Sequence, residues 1–309
     1  MTSDTLHSSH DTSQAEPRTS HTAYRTSPSF PRHGWLGLAL IAVAWPLNWL
    51  WPGLRTHILF FPLWLGYALT VDALAYRRRG ASLFSRDPRR YALLFVISAP
   101  AWWLFEALNL RTQNWHYVGR EFFTDLQYGV LATLSFSTVM PAVFGATSWL
   151  ASFPWVERFA HGPRIRPTPR TLWGFFFAGW AMLAFMLAFP RYGFPFLWLS
   201  VYFILEPVNA WLGNRTLLEF TQKGDWRPIA ALWAGVWFTA FFWEFWNFYA
   251  YPKWVYTVPF VDFLHIFEMP ILGYFGYWPF ALELYALYHF VVGLFGNRRT
   301  DYLTQALLP

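Results

Sequence analysis

The sequence predicts an all-α integral membrane protein: eight transmembrane helices in a direct tandem repeat of four, related by a pseudo-two-fold axis along the membrane normal. Three observations carry this expectation. Charged residues make up 13% of the 309-residue chain, where a soluble domain has about 25%. Apolar runs long enough to span a bilayer recur from Trp35 onward. A Glu-x-x-Asn pair set in apolar helix occurs twice, as Glu106/Asn109 and as Glu244/Asn247, 138 positions apart.

The elements follow in order. Residues 1–33 are rich in Ser, Thr and His without an apolar run, and are expected to form a disordered cytoplasmic tail with no secretory signal. The first span, 35–53, is then the segment that directs insertion. The others are expected at 57–76, 91–110, 127–152, 171–190, 194–212, 228–249 and 276–296. Pro46, Pro62, Pro141, Pro195 and Pro279 fall in or at the start of these runs. Spanning helices tolerate proline because neighbouring helices satisfy the freed carbonyls. The spans divide into a first repeat at 34–160, a cytoplasmic linker at 161–170, a second repeat at 171–298 and a C-terminal tail at 299–309.

The repeat is visible well beyond the Glu–Asn pair. Trp35, Pro52 and Asp87 match Trp173, Pro190 and Asp225 at the same offset. Trp64 and Asp72 match Trp198 and Glu206 four positions short of it, which marks a local deletion in the second copy. Trp115 and Tyr117 match Trp254 and Tyr256. A unit with an even number of spans keeps its orientation when duplicated, and a cavity between two such halves is the natural ligand site.

Charge sets the expected orientation. Of the 23 Lys and Arg, all but Arg55, Arg111, Arg120, Arg191 and Lys253 fall in the tails and in the loops after the second, fourth and sixth spans. The positive-inside rule makes that side cytoplasmic, with both termini inside and the chain in the cell's inner (plasma) membrane. Loop arginines of this kind orient spans, so nucleic acid is not an expected partner. The chain has no cysteine, which excludes thiolate chemistry and cysteine-ligated metals. It also lacks a phosphate-binding glycine loop, a His-Glu-x-x-His helix and a nucleophile elbow. The sequence asks for no cofactor.

An acid and an amide three residues apart share one helix face, and such groups are expensive within a bilayer unless they serve a site. Glu244 is flanked by Trp243, Phe245 and Trp246. A neutral carboxylic acid in a dry aromatic pocket can protonate a weak base such as a carbon–carbon double bond, and aromatic faces can stabilise the resulting cation. Glu244 is therefore the candidate acid, with Asn247 orienting it and Glu283 holding or relaying charge. Glu106, Asn109, Trp115, Tyr117, Trp243, Trp254 and Tyr256 are candidate ligand-binding residues. The competing reading ties helices together through the same polar groups, and makes the Trp-x-Tyr elements interface anchors. Asp262, His265 and Glu268, three apart, are weak metal candidates. A solvated helix lying along the interface explains them better. His289 is expected to be a hydrogen-bonded core histidine.

The stretch Trp243-Glu244-Phe245-Trp246-Asn247, then Lys253-Trp254-Val255-Tyr256, then Leu272-Gly273-Tyr274-Phe275-Gly276-Tyr277-Trp278-Pro279 resembles the small membrane lycopene cyclases of the heterodimeric and fungal type. The resemblance implies a polyene site with acid chemistry at Glu244, Asn247 and Glu283. The family's Pro-x-Glu-Glu is replaced here by Pro279 followed by a single acid at Glu283, and the first copy lacks the glycine-rich approach.

The leading expectation is thus a cofactor-free enzyme acting on a polyprenoid or carotenoid-like lipid by carboxylic-acid proton transfer. One alternative is a proton-coupled or lipid-solute transporter. Another is a non-catalytic scaffold, a pigment- or lipid-binding subunit with a membrane-protein partner.

Overall fold

A computed structural model describes residues 28–308, and the expected tail falls outside it up to residue 27. The last residues of that tail, Arg32 and His33, already belong to helix α1 (Arg32–Leu50). The chain is mostly helical, and five of its described helical segments are long and apolar enough to cross a membrane: Thr56–Arg79, Pro88–Thr112, Asp125–Leu150 (with a break inside it), Pro169–Ala188 and Arg227–Phe248. Val96, Leu110, Leu126, Val130 and Phe177 stand exposed on them. Apolar surface on this scale faces lipid comfortably and water badly. This is a multi-helix membrane protein.

Local chemistry sets the helix ends. Helix α2 (Thr56–Arg79) stops at Gly80, whose left-handed conformation (φ 75°) closes its last turn. A Ser82/Ser85 capping box then starts the short α3 (Leu83–Arg86). Helix α4 (Pro88–Thr112) begins at Asp87, whose carboxylate accepts the backbone N–H groups of Arg89 and Arg90 at 3.0 Å. Asp225, its counterpart in the second copy, accepts that of Arg227 at 3.1 Å.

Two expected spans are interrupted. The run at 127–152 forms α5 (Asp125–Phe136) and α6 (Val139–Leu150). At their junction the hydroxyls of Ser137 and Thr138 bond the carbonyls of Leu134 and Ser135, and Pro141 has no N–H with which to bond back. Helix α7 (Pro169–Ala188) is continuous, but the run at 194–212 is not. It yields α8 (Pro190–Gly193), a 3-10 turn at Phe194–Trp198, and only then α9 (Ser200–Leu212). The change of offset in the sequence, between Pro190 and Trp198, falls in this interrupted stretch. At 13 residues, α9 is about 20 Å long, short of a bilayer core of about 30 Å. A short α10 (Leu218–Thr221) precedes α11 (Arg227–Phe248), and α12 (Tyr277–Leu294) carries buried Glu283 and His289.

Close helix contact needs glycine at two crossings. A Cβ on Gly66 would stand 2.8 Å from the Gly37 carbonyl, where α1 meets α2, and one on Gly235 would stand 2.6 Å from the Thr147 backbone, where α6 meets α11. Small residues at such crossings let backbones approach without a hydrophobic driving force. Two pairs of aromatic residues that align in the sequence make similar contacts. Trp64 lies 5.5 Å, ring to ring, from Trp243, while its counterpart Trp198 lies 5.6 Å from Phe105, the counterpart of Trp243.

Beyond the ends of α4 and α11 the chain turns into two short strands, β1 (Trp115–Val118) and β2 (Lys253–Tyr256). They pair antiparallel, with Trp115 opposite Tyr256 and Tyr117 opposite Trp254. The segment expected as an interfacial helix is instead a hairpin of β3 (His265–Ile266) and β4 (Met269–Pro270). Leu264 and Phe267 have positive φ, which a helix does not allow. At the opposite end, a short α13 (Thr304–Leu307) packs buried Ala306 and Leu307 into the core.

Candidate functional site

The β1–β2 ladder brings the two Trp-x-Tyr elements together, one from each copy, and each turns its rings toward its own acid. Glu106 Oε1 accepts three hydrogen bonds: from the indoles of Trp102 (2.9 Å) and Trp115 (3.0 Å) and from the Tyr117 hydroxyl (2.5 Å). Glu244 Oε1 accepts the hydroxyls of Tyr256 and Tyr277, both at 2.7 Å. The Trp254 indole donates to the Tyr256 oxygen at 2.9 Å. Glu244 is fully buried, and its Oε2 has no partner among the described residues. Buried polar atoms are nearly always satisfied, so an exception at this position needs a reason.

The asparagines act on the strands. Asn247 Nδ2 donates to the Trp254 carbonyl at 2.7 Å and its Oδ1 accepts the Trp254 N–H at 3.0 Å. Asn109 does the same for Trp115, donating at 2.9 Å, and also accepts the Asn114 N–H at 2.7 Å. Each Asn therefore anchors the strand whose tyrosine, two residues on, bonds the acid. Asn247 reaches Glu244 through that strand and not by direct contact.

Tyr117 and Tyr256 lie on the strands, outside the spans. Burial, and then the neighbouring carboxylate, push both phenols well above their ordinary value. They stay protonated and remain donors.

A cavity of about 460 Å³ lies against the ladder, walled by residues from both the N-terminal and the C-terminal parts of the chain. Trp115, Tyr117, Trp243, Trp254 and Tyr256 line it, together with Tyr277, Trp102, Trp198, Phe136 and Phe280. The acids themselves stand behind this wall: Tyr117 presents Glu106, and Tyr256 and Tyr277 present Glu244. Arg120 and Lys253 also belong to the wall, but Arg120 is paired with Asp125 and Lys253 with Glu268. The lining is left mainly apolar and aromatic.

The remaining sequence candidates fall elsewhere. Glu283 sits apart, buried in α12, and accepts the Val201 N–H at 3.2 Å. It thereby caps the N-terminus of α9. Asp72 and Glu206 each use one oxygen in the same way, accepting the N–H groups of Phe84 (3.0 Å) and Leu218 (2.8 Å) to clip α3 and α10 in place. Asp262 and His265 pair with each other at 2.9 Å, and Glu268 goes to Lys253. Among the described residues no group of three or more His, Asp or Glu is placed to hold a metal ion. His289 is buried with neither ring nitrogen partnered, unlike the hydrogen-bonded core residue expected. Its ring packs 4.4 Å from that of Tyr285.

Sequence reasoning missed Tyr277, Trp102, Trp198 and His57 in the wall. Tyr277 was visible in the Gly-Tyr-Trp-Pro approach to α12. Trp102 lies one turn before Glu106, and Trp198 is the repeat partner of Trp64. His57 carries no such signal. Compared with family models, curated proteins and solved structures, the chain has no match.

Proposed function

We propose that the chain is an eight-span membrane protein built as a direct repeat of four, with both termini cytoplasmic, and that it is an enzyme acting on a polyprenoid or carotenoid-like lipid. The ligand lies in the aromatic cavity between the halves. Its volume is within the range of small-molecule sites, about 300–1,000 Å³. Glu244 is the proton donor. Its unpartnered Oε2 is the atom available to carry the proton; a turn of the carboxyl group lets that proton pass to the Tyr256 or Tyr277 oxygen, and the tyrosine in turn gives up its own hydroxyl proton to the ligand in the cavity it lines. The surrounding indoles stabilise a cationic intermediate. Glu106, with three donors on one oxygen, is the matching half-site, arranged to hold a negative charge opposite. Glu283 caps a helix and has no part in this chemistry. The observation that carries the reading is the pair of tyrosine-capped acids flanking one aromatic cavity. This arrangement suits the lycopene cyclase resemblance of the Glu244–Pro279 stretch.

The experiment is co-expression with a lycopene-producing pathway and analysis of the pigments. A cyclised product from the native chain that vanishes in Glu244→Gln supports the proposal. Unchanged pigment from both, at equal protein levels, sinks it.

One observation favours a second reading, a proton-coupled transporter. Besides Glu244, buried polar atoms of Glu206, Glu283, Tyr285 and His289 lack partners among the described residues, and intramembrane groups of this kind can relay protons. Proton-driven uptake into proteoliposomes that disappears in His289→Phe would favour this reading over the enzyme.

A further inference from the structure

The basic end of the molecule has a cavity of its own, about 570 Å³, between the α3–α4 junction and the C-terminal segment. Four arginines line it, Arg86, Arg90, Arg298 and Arg299, against two acids, Asp87 and Asp301. The C-terminal wall is docked in place. The Tyr302 hydroxyl donates to the Leu83 carbonyl at 2.9 Å, and Arg90 Nη1 donates to Thr300 Oγ1 at 3.2 Å.

Following the charges isolates two arginines. Asp87 is engaged by Arg90 at 3.2 Å and by two backbone N–H groups. Asp301 is engaged by Arg215, and Arg299 by Glu219. Arg86 and Arg298 have no acidic partner among the described residues. Arg298 is exposed. Arg86 is half-buried, its Nη1 is enclosed without a hydrogen-bond partner, and Nε and Nη2 of nearby Arg79 are in the same condition. Burial pushes the Arg86 guanidinium down from its ordinary value. A buried donor left unsatisfied costs about 1–3 kcal/mol, more when charged. Arg79 is accounted for by its Nη1, which donates to the carbonyls of Gln305 and Leu308, but Arg86 Nη1 meets no acceptor and Arg86 lines the groove. A tetrahedral oxyanion supplies an acceptor, and its several oxygens match the guanidinium fork. Basic pockets between helices on this side of a membrane are suited to anionic head groups.

We propose that this groove binds a phosphate group, with Arg86 and Arg298 as its main ligands. The site is independent of the aromatic cavity and stands whether or not the chain is an enzyme. Its phosphate belongs either to a lipid head group or to a soluble phosphate compound, and the chemistry of recognition is the same.

The test uses full-length protein in mild detergent. Native mass spectrometry measures retention of phosphatidylglycerol against phosphatidylcholine, and thermal unfolding is followed with and without pyrophosphate. The variants are Arg86→Gln with Arg298→Gln, Arg298→Gln alone, and a control, Arg89→Gln with Arg164→Gln, which removes equal charge from exposed positions outside the groove. The native chain is expected to prefer the anionic probe by about tenfold or more, equivalent to about 1.4 kcal/mol. The groove pair abolishes that preference, and the control pair keeps it. Arg298→Gln, exposed and with no side-chain hydrogen bond or ion pair among the described residues to lose, folds normally and weakens binding by itself. Phosphatidylglycerol retention without a pyrophosphate shift assigns a lipid, and the reverse assigns a soluble phosphate. Equal retention of both lipids with no pyrophosphate shift overturns the proposal, as does an equal loss in the control pair.

Discussion

Replacing Asn247 with Ala removes both bonds that hold Trp254 to the end of α11, at 2.7 and 3.0 Å, and leaves a partly buried N–H and a partly buried carbonyl without these partners. A net hydrogen bond contributes about 0.5–1.5 kcal/mol and an orphaned buried group costs about 1–3. Polar contacts inside membranes measure lower, near 0.6 kcal/mol on average. A loss of about 2 kcal/mol is the consistent expectation, and it falls on the β2 strand and not on the whole helix bundle. Each 1.4 kcal/mol is a factor of about ten, so the strand should open about thirtyfold more often. Amide hydrogen exchange reads this directly. Protection at Trp254–Tyr256 should fall by that factor, and the paired Trp115–Val118 amides should lose protection with it, because the register joins them. Amides in the middle of α11 should hardly change. If β2 keeps its protection in Asn247→Ala, or if α11 loses as much as the strand, then the asparagine does not anchor the ladder. The argument linking it to the acid would fail with it.

Three other outcomes are expected. Glu244→Gln should lower turnover of an identified substrate by about 100-fold or more, the usual contribution of a general acid, while ligand quenching of tryptophan fluorescence changes little. Gly235→Val should destabilise the protein by about 1–3 kcal/mol, because the added side chain meets the Thr147 backbone; Gly129→Val, facing open space, should shift thermal unfolding negligibly. The third concerns pH. Tyr117 and Tyr256 have phenols raised above the unfolded value of 10, so the stability they contribute is complete below about pH 10 and is lost as pH climbs past it. Unfolding followed from pH 8 to 11 should show that decline, shallower in Tyr256→Phe, and a flat profile in the native chain would contradict the assignment.

The helices were legible because long apolar runs leave a chain few alternatives in lipid. Their breaks were not. At 137–138 the run stays apolar on both sides, and nothing local says that Ser137 and Thr138 turn their hydroxyls back on the helix. The break before α9 was half visible: the offset drops between Pro190 and Trp198, but where the helix breaks depends on packing against α12, where Glu283 takes the exposed N–H. The shared face of Glu244 and Asn247 followed directly from their spacing. What each bonds did not, because the partner strand folds back from beyond the helix end. Four-residue strands rich in Trp and Tyr read equally well as interface anchors. The hairpin at 265–270 was misread for a related reason. Asp262, His265 and Glu268 repeat every three residues as a helix face would, while the positive φ at Leu264 and Phe267 leaves no trace in side-chain pattern.

The central claim is that the aromatic cavity holds an apolar chain-like lipid, and its most direct test is mass spectrometry of what the protein retains through mild-detergent purification. Ala132 is buried in the cavity wall, so Ala132→Trp should fill the space. A polyprenoid or carotenoid-like species bound to the native protein and missing from Ala132→Trp is the predicted result. Bulk phospholipid alone in both preparations, or the same apolar species retained equally by both, would contradict the account.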